Sequence, residues 1–302
     1  MRIFSSIAGM RAACRERFRS AGEPALLGLV PTMGALHAGH LSLVRAARSR
    51  CGLVAASIFV NPLQFGPSED LARYPRPFAE DCALLEAEGV DLLFAPSAEQ
   101  MYPHGQGSTF VESAGIAQRL DGRFRDGHFR GVETVVTKLF HIVEPDVAFF
   151  GQKDAAQVAV LRAMVRDLNF AVELAVCPTV REPDGLALSS RNTYLNADER
   201  VQALALSRSL SWLAEVAAST QPAQMQALLE RWREQLMAAE DVEVEYAEMV
   251  DANTLEPLQT LAQGGLAAVA ARVGQTRLID NLLLEPVLEP IEHARTLEET
   301  LP

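Results

Sequence analysis

Two histidines three residues apart, His37 and His40, have the clearest potential for chemistry in this sequence. They lie in a glycine-containing turn between an apolar run at 26–30, which is typical of a buried parallel strand, and a segment at 41–47 with apolar residues at helical spacing. The first N–H groups of a helix lack partners within the helix, so a turn of this kind can bind an anion. Two imidazoles beside it can stabilise charge on phosphate oxygens. The pattern therefore indicates chemistry on a nucleoside triphosphate.

Two other interpretations compete with a phosphate site. A histidine on an apolar face is commonly a packed core residue. The pair could also bind zinc, but the cysteines stand alone in the sequence and none completes a tetrahedral site: Cys14, Cys51, Cys82 and Cys177. The sequence contains no P-loop motif of the form G-x-x-x-x-G-K-[ST]. A phosphate site of another kind is the leading interpretation, and its strength depends on the rest of the chain.

The composition excludes several classes of protein. With 49% apolar and 22% charged residues over 302 positions, the chain is globular and long enough for two domains. No apolar run approaches the ~20 residues of a membrane span, and the N-terminus lacks the apolar core of an export signal. A net charge of −12 disfavours nucleic acid as a partner. We expect a cytoplasmic protein with unpaired cysteines that acts on small molecules.

Short apolar strands alternate with helical patterns through residues 1–184, which predicts a parallel α/β sheet and a first domain. The predicted strands are 26–30, 54–60, 91–94, 146–150 and 172–176, and the predicted helices are 78–88, 131–143 and 154–167. Residues 185–290 read as a smaller α+β domain with helices at 197–218 and 221–239, a strand at 242–250 and a hairpin of 266–273 with 277–284. The acidic tail at 291–302 is expected to be flexible.

Polar residues follow the predicted strands, where parallel sheets bind their ligands. Asn61 and Gln64 bring two side-chain amides, which can orient hydroxyl and carboxylate groups. Taken in isolation, however, this segment favours an Asn-Pro turn with an exposed glutamine. The sequence Gly151-Gln152-Lys153-Asp154 opens a helix, so that Lys153 could neutralise phosphate and Asp154 could cap the helix or bind ribose or metal. Gln157 lies one turn further along that helix.

Three further segments carry candidate groups, each with a plain alternative. Ser189, Ser190 and Arg191 could bind triphosphate oxygens or form an interdomain turn. Residues 121–131, rich in glycine and arginine, could close over a triphosphate or form a mobile basic loop. Glu80 and Asp81 could hold Mg²⁺ through water or form a solvated helix face.

Together these segments resemble the pantoate–β-alanine ligase family of the nucleotidylyltransferase superfamily. The matching segments fall in the family's order and spacing: Pro-Thr-Met-Gly-Ala-Leu-His-Ala-Gly-His-Leu (31–41), Phe-Val-Asn-Pro-Leu-Gln-Phe (59–65), 69–76, Gly-His-Phe-Arg-Gly-Val (127–132), Gly-Gln-Lys-Asp (151–154) and 184–192. The resemblance implies a Rossmann-like sheet of the HIGH type with a smaller C-terminal α+β domain, and a homodimer. It also implies the ATP-dependent condensation of (R)-pantoate with β-alanine through a pantoyl adenylate, with release of pyrophosphate and AMP.

The resemblance also assigns roles to individual residues. The catalytic group is His40, which the family describes as a proton donor, with His37, Lys153 and Arg191. The implied pantoate ligands are Gln64, Gln157 and Asn61, and Gln64 also borders β-alanine. Asp81 corresponds to the acid associated with Mg²⁺. The implied ATP contacts are Met33, Gly34, Ala35, Leu36, His37, Ala38, Gly39, His40, Gly151, Gln152, Lys153, Asp154, Val180, Leu188, Ser189, Ser190 and Arg191.

The sequence departs from the family pattern at three places. Ala155 and Ala156 replace a larger pair, which we expect to loosen the pocket wall near pantoate; Ala38 and Asp126 replace a frequent Glu and a frequent Pro. The rival enzyme is another nucleotidylyltransferase of the superfamily, which would need a cationic pocket for a phosphorylated acceptor. A silent nucleotide-binding protein is disfavoured because the phosphate-binding set is complete.

Overall fold

The chain forms two β-sheets, each covered by helices. The structure, a computed structural model, describes residues 1–18, 25–67, 69–105, 107–217 and 224–286. The tail predicted at 291–302 and the first residues of the helix predicted at 221–239 lie outside these ranges. Within them no helix is both long enough and apolar enough to cross a lipid bilayer.

The larger sheet contains six parallel strands in the spatial order β1-β4-β3-β2-β5-β6. The central strands are almost completely buried, as expected for a parallel sheet covered on both faces. The strands are β1 (Arg2–Phe4), β2 (Leu27–Thr32), β3 (Leu53–Ile58), β4 (Leu92–Phe94), β5 (Val147–Gly151) and β6 (Glu173–Cys177). All five strands predicted for this sheet are confirmed to within two residues, and the short edge strand β1 was not predicted.

The strand order reverses direction between β2 and β5. Successive strands run outward from β2 through β3 to β4, whereas β5 and β6 extend the other edge of the sheet. At such a switch point the connections leave a crevice beyond the carboxyl ends of the strands, and ligands bind there in open α/β sheets. The turns that follow β2, β3 and β5 all open at this crevice, and they carry the predicted histidines, amides and Lys153.

Helices cover both faces of the larger sheet. On one face α1 and α6 contribute to a core with Leu29 and Phe94, and on the other α2 and α3 pack against Val30 and Leu93. The helices of this part are α1 (Ile7–Arg15), α2 (Ala38–Arg50), α3 (Phe78–Ala87), α4 (Ala98–Met101), α5 (Asp121–Phe124), α6 (His128–Val143) and α7 (Ala155–Asp167).

The smaller sheet is antiparallel, in the order β7-β8-β9, and confirms the predicted α+β architecture. Its elements are α8 (Ala197–Ala217), α9 (Met225–Met237), β7 (Val242–Val250), β8 (Gly265–Val273) and β9 (Thr276–Leu284). The hairpin of β8 and β9 turns at Gly274, whose φ of +55° suits a two-residue hairpin turn. The division of the chain at residues 184 and 185 stays a prediction.

The small sheet is packed between two layers. One face meets α8 and α9 around the buried Trp232, and the other meets α7 of the larger part. Ala155 and Ala156 belong to this second contact, where they pack with Tyr246 and Leu266. The expectation that they loosen a pocket wall was therefore wrong: their small side chains let α7 and the small sheet approach each other.

Candidate active site

The turn between β2 and α2 has an unusual backbone that a buried carboxylate holds in place. Gly34 and Ala35 have φ values of +80° and +50°, in the left-handed region. Asp81, 1% exposed on α3, accepts the N–H of Ala35 at 2.9 Å and that of Leu36 at 2.8 Å, one with each carboxylate oxygen. The acid assigned to Mg²⁺ therefore binds the backbone of the turn.

His37 and His40 are fixed by the start of α2. His37 is the N-cap residue, and its Nδ1 accepts the N–H of Gly39 at 3.2 Å. The Nδ1 of His40 accepts the N–H of His37 at 3.4 Å, which completes a reciprocal capping box. An imidazole nitrogen that accepts carries no hydrogen, so each neutral ring has its hydrogen on Nε2. Both histidines thus carry a fixed Nε2–H donor.

The two imidazoles are neutral before any ligand binds. Burial, with a smaller contribution from the positive charge of Lys153, lowers the pKa of His37 to about 4. Burial also lowers the pKa of His40 to about 3, with smaller contributions from His37 and Lys153. The ring centroids lie 4.1 Å apart, so charging both rings would bring two like charges together. The pair is therefore built to donate hydrogen bonds without carrying charge.

A cavity of about 180 Å³ lies at the switch point between β2 and β5. Met33 and His40 line it from the first turn, and Gln64 and Gln157 bring two side-chain amides to the same space. The apolar part of its wall consists of Phe59, Val132, Val135, Val136, Leu139 and Phe150. A small polar molecule with an apolar body matches this lining.

Asn61 lines this cavity but has no hydrogen-bonding capacity left for a ligand. Its Nδ2 donates to Oε1 of Gln64 at 3.1 Å and to the carbonyl of Gly131 at 3.0 Å. Its Oδ1 accepts the hydroxyl of Tyr102 at 2.8 Å and the N–H of Leu63 at 3.3 Å. The structure therefore corrects the assignment of Asn61 as a pantoate ligand: it orients Gln64, and Tyr102 holds it.

The basic segment at 121–131 is folded onto the residues that follow β3. It forms α5 and the start of α6, joined through Gly127, whose φ is +71°. Arg125 donates to both carboxylate oxygens of Glu69, at 2.7 and 2.8 Å; burial opposes the charge of Glu69, but these bonds lower its pKa to about 2. His128 donates from Nδ1 to the carbonyl of Gln64 at 2.8 Å and accepts Arg125 on Nε2 at 2.9 Å. The segment therefore forms neither a loop over a triphosphate nor a mobile basic loop. Its contacts hold the backbone of Gln64 in place.

A second cavity, also about 180 Å³, forms a cleft between the two sheets. Lys153, Ser189 and Arg191, which were predicted from the sequence to bind phosphate, line it together with Asp154. The hairpin of β8 and β9 forms the opposite wall through Arg272, Gln275, Thr276, Arg277, Leu278, Ile279 and Asp280. This contribution of the small sheet was not predicted from the sequence.

Arg191 stands between the two cavities and is held by a carboxylate. It lines both cavities, as do Asp154 and Arg125. Its guanidinium donates to Asp70 at 2.9 and 2.8 Å, and these bonds outweigh the burial that opposes its charge, so its pKa is raised. The Ser190 hydroxyl lies 3.3 Å from that of Tyr74. The arginine is thus aimed by Asp70 at the junction of the cavities.

The remaining predicted ATP contacts surround these groups. Val180 and Leu188 are joined by a backbone hydrogen bond of 3.0 Å, beside Ser189. Gly39 must be a glycine because a Cβ there would lie 2.9 Å from the His37 ring, and it also faces Leu188. Gly34, Ala35 and Leu36 form the turn itself, and Ala38 begins α2. Gly151 and Gln152 lead from β5 to Lys153. The structure therefore brings the β2–α2 turn, the segment at 151–154 and the segment at 180–191 to one place.

A sequence profile described as Pantoate-beta-alanine ligase matches residues 2–283 of the chain. The chain belongs to the pantoate–β-alanine ligase family.

Individual relatives agree with this membership of the pantoate–β-alanine ligase family. The pantothenate synthetase of Koribacter versatilis is 55% identical over 94% of this chain and 96% of its own length, and that of Thermotoga petrophila is 51% identical over 94% and 100%. The crystal structure of the Thermus thermophilus pantothenate synthetase has a TM-score of 0.86 at 47% identity, covering 95% and 100% of the two chains. A Francisella tularensis pantoate–β-alanine ligase, complexed with β-γ ATP and β-alanine, has a TM-score of 0.73 at 33% identity, covering 94% and 97%.

We expect His37 and His40 of this family member to stay neutral from about pH 5 upward in the ligand-free protein. Nitrogen-detected NMR of the ring nitrogens should show the Nε2–H form, assigned by its loss in His37→Gln and His40→Gln. Their folded pKa values of about 4 and 3 lie below the ordinary value of 6.5, so the unfolded chain takes up protons first. The free energy of unfolding should therefore decrease as pH falls from about 6.5 to about 3, with the His37 contribution complete near pH 4. A ring that titrates near its ordinary value would contradict the assignment.

Proposed function

We propose that this ligase activates pantoate before it forms the amide bond. The chain is an ATP-using ligase of pantoate and β-alanine, as its family membership establishes. In the first step, a pantoate carboxylate oxygen bonds to the α-phosphorus of ATP while the bond from that phosphorus to the bridging oxygen breaks and pyrophosphate leaves. In the second step, the amine nitrogen of β-alanine bonds to the acyl carbon, the bond from that carbon to the phosphate oxygen of AMP breaks, and the nitrogen releases one proton to solvent.

The meeting of two cavities at Asp154 and Arg191 is the observation that carries this proposal. The adenylate requires a carboxylate and an α-phosphate within bonding distance, with the rest of each substrate in its own space. The cleft between the sheets suits the nucleotide, and the cavity at the switch point suits the acid. Catalysis then needs positioning and stabilisation of phosphate charge, since the substrate supplies the nucleophile.

The acid cavity favours pantoate over a phosphorylated acceptor. Gln64 and Gln157 can bind hydroxyl and carboxylate oxygens without adding charge, and we also assign Gln64 to the border of the β-alanine site. The arginines in the wall, Arg125 and Arg191, each donate two hydrogen bonds to a carboxylate. An acceptor phosphate in this cavity would have to compete with Glu69 for Arg125. Arg191 is the arginine that we assign to the triphosphate of ATP, so neither arginine of this wall is available to a phosphorylated acceptor, which disfavours the rival nucleotidylyltransferase.

In the cleft we assign phosphate binding to Lys153, Arg191 and the Ser189 and Ser190 hydroxyls, and ribose binding to Asp154. The ammonium of Lys153 lies 3.6 Å from the Asp154 carboxylate, so it keeps hydrogen-bond donors for phosphate oxygens. Val180 would pack beside adenine. His37 and His40 would donate their Nε2–H groups to phosphate oxygens from the start of α2, whose dipole favours an anion. Because both rings are neutral, we assign them hydrogen-bond donation in place of the proton transfer implied for His40.

Magnesium is proposed to enter with ATP. Among the residues that the structure describes, no group of three or more His, Cys, Asp or Glu side chains could hold a metal ion. Asp81 does not fit a metal ligand because both of its carboxylate oxygens already accept backbone N–H groups. It lies at a third cavity, which Met33 and Phe78 also line. Mg²⁺ is commonly held by substrate phosphates and water, with few protein ligands.

The homodimer and the cytoplasmic location stay predictions. The homodimer is supported by the family resemblance. The four cysteines are free thiols, which suits a reducing compartment.

Isotope exchange between pyrophosphate and ATP tests the order of the two steps. We expect exchange in the presence of (R)-pantoate and Mg²⁺ without β-alanine, because adenylate formation is reversible and comes first. Replacing pantoate by a phosphorylated acceptor should abolish exchange. Exchange without pantoate, or none with a folded protein, would overturn the proposed mechanism.

His40→Ala should lower the kcat of exchange by about 100-fold, since one charge-stabilising donor is lost. Thermal unfolding should show that the variant is folded, and His104→Ala, a substitution of an exposed histidine, serves as the matched control. Near wild-type turnover in His40→Ala would return this histidine to a purely structural role.

Asp81→Asn separates a loop-holding role from a metal-binding one. We expect the free energy of unfolding to fall by about 1–3 kcal/mol, because a charged acceptor of two N–H groups is lost. The kcat should fall with it, while the Mg²⁺ concentration at half-maximal rate stays at the wild-type value. Glu80→Gln, at the exposed neighbouring position, is the control. A large shift in the Mg²⁺ requirement of Asp81→Asn would restore the metal assignment.

A further inference from the structure

Two neighbouring residues of the small sheet, Asp280 and Asn281 on β9, contact the segments assigned to ATP. Both are 4% exposed, which is unusual for such polar side chains. Asn281 reaches Gln152 and Lys153, and Asp280 reaches Arg181. Neither residue was singled out from the sequence, and the mechanism above does not use them.

Asn281 satisfies three hydrogen-bonding groups of the turn that leads into α7. Its Nδ2 donates to the carbonyl of Gln152 at 3.0 Å and to that of Lys153 at 2.8 Å. Its Oδ1 accepts Nε2 of the Gln152 side chain at 3.0 Å. A buried carboxamide with all these partners fixes the turn tightly, because leaving the carbonyls unpaired would cost free energy.

The backbone of Lys153 is thereby tied to the small sheet. Gln152–Asp154 is a single 3-10 turn between β5 and α7, too short to determine its own geometry strongly. The side chain of Lys153 leaves from this turn into the cleft, so a shift of the turn displaces the ammonium directly.

Asp280 secures the second ATP segment from the same strand. Its carboxylate accepts two hydrogen bonds from Arg181, at 2.6 and 2.9 Å, and Arg181 also donates to the carbonyl of Gly185 at 3.1 Å. Arg181 follows Val180, and it pairs with Ala187 in an isolated bridge beside Leu188. One short piece of β9 therefore fixes both the Lys153 turn and the segment that precedes Ser189.

We propose that Asn281 is a positioning residue for ATP, which acts by holding the Gln152–Lys153 backbone so that Lys153 meets the phosphates, with Asp280 aligning the Val180–Ser189 segment. The identity of the ligand rests on the proposed function. The small sheet then determines the geometry of the nucleotide site from behind Lys153, in addition to forming a wall of the cleft.

A double-mutant cycle on ATP affinity tests whether Asn281 acts through Lys153. Calorimetric titration of the full chain with Mg-ATP would compare wild type, Asn281→Ala, Lys153→Ala and the double variant. We expect each single substitution to weaken binding about tenfold, and the double variant to bind within about twofold of Lys153→Ala. The KM for pantoate should change less than about twofold in Asn281→Ala, because the acid cavity does not contact Asn281.

Two further variants serve as controls for the effect of Asn281→Ala on ATP affinity. Leu283→Ala changes an exposed residue of the same strand and should retain wild-type ATP affinity. Asn281→Asp keeps the shape and the acceptor oxygen but removes both N–H donors, so it should also weaken ATP binding. It replaces Asn281→Ala in the cycle if thermal unfolding shows that Asn281→Ala is not folded.

The outcomes distinguish this proposal from the proposed function. Wild-type ATP affinity in folded Asn281→Ala, or losses that multiply in the double variant, would overturn the positioning role even if pantoate-dependent exchange proceeds. Coupled losses of ATP affinity in a protein without such exchange would leave the positioning role in place and overturn the proposed reaction.

Discussion

The fold depends on a geometric constraint of parallel sheets, namely that all strands end at the same edge. Because β2 lies between β3 and β5, the turns that follow these three strands must open side by side. The histidine pair, the Gln64 segment and the Lys153 turn come from distant parts of the sequence, and this edge is the place where they meet. Every further contact refines positions that the strand order has already brought together.

That refinement uses buried charge in a consistent way. Arg125, Arg181, Arg191 and Arg277 are each paired with carboxylates, and most of those carboxylates belong to another segment of the chain. Pairing of this kind contributes little net stability when both charges are buried, yet it fixes direction, because a guanidinium and a carboxylate match in only a few orientations. The cleft therefore has rigid arginines whose charge is largely compensated, with Lys153 as its more adaptable cation.

The sequence allowed prediction of local elements and of residues that lie in recognisable segments, but not of contacts made across the chain. The five predicted strands of the larger sheet are mostly apolar runs, and Gly274 marks the hairpin of the smaller sheet, so the sequence pattern was enough to locate them. The region 121–131 was predicted to be a loop because its glycine-rich composition is typical of loops. In the structure, Arg125 and His128 bind residues that follow β3, up to 64 positions away. The family resemblance assigned Asn61 as a pantoate ligand. The hydrogen bonds that occupy its side chain, including those with Tyr102 and Gly131, are visible only in three dimensions. Asn281 lies 129 positions from Gln152, and no local signal links the two.

The neutral histidine pair has a consequence for turnover. A hydrogen bond from a neutral donor contributes little binding free energy when the charge of the phosphate oxygen is already solvated. It contributes more in the transition state, where negative charge concentrates on that oxygen. Two cations at the same positions would bind pyrophosphate about as strongly as the transition state, so that the first product would leave slowly. Under the proposed assignment, a protein that caps α2 with the acceptor nitrogens of its own histidines would stabilise the reacting phosphate without retaining the pyrophosphate that it must release.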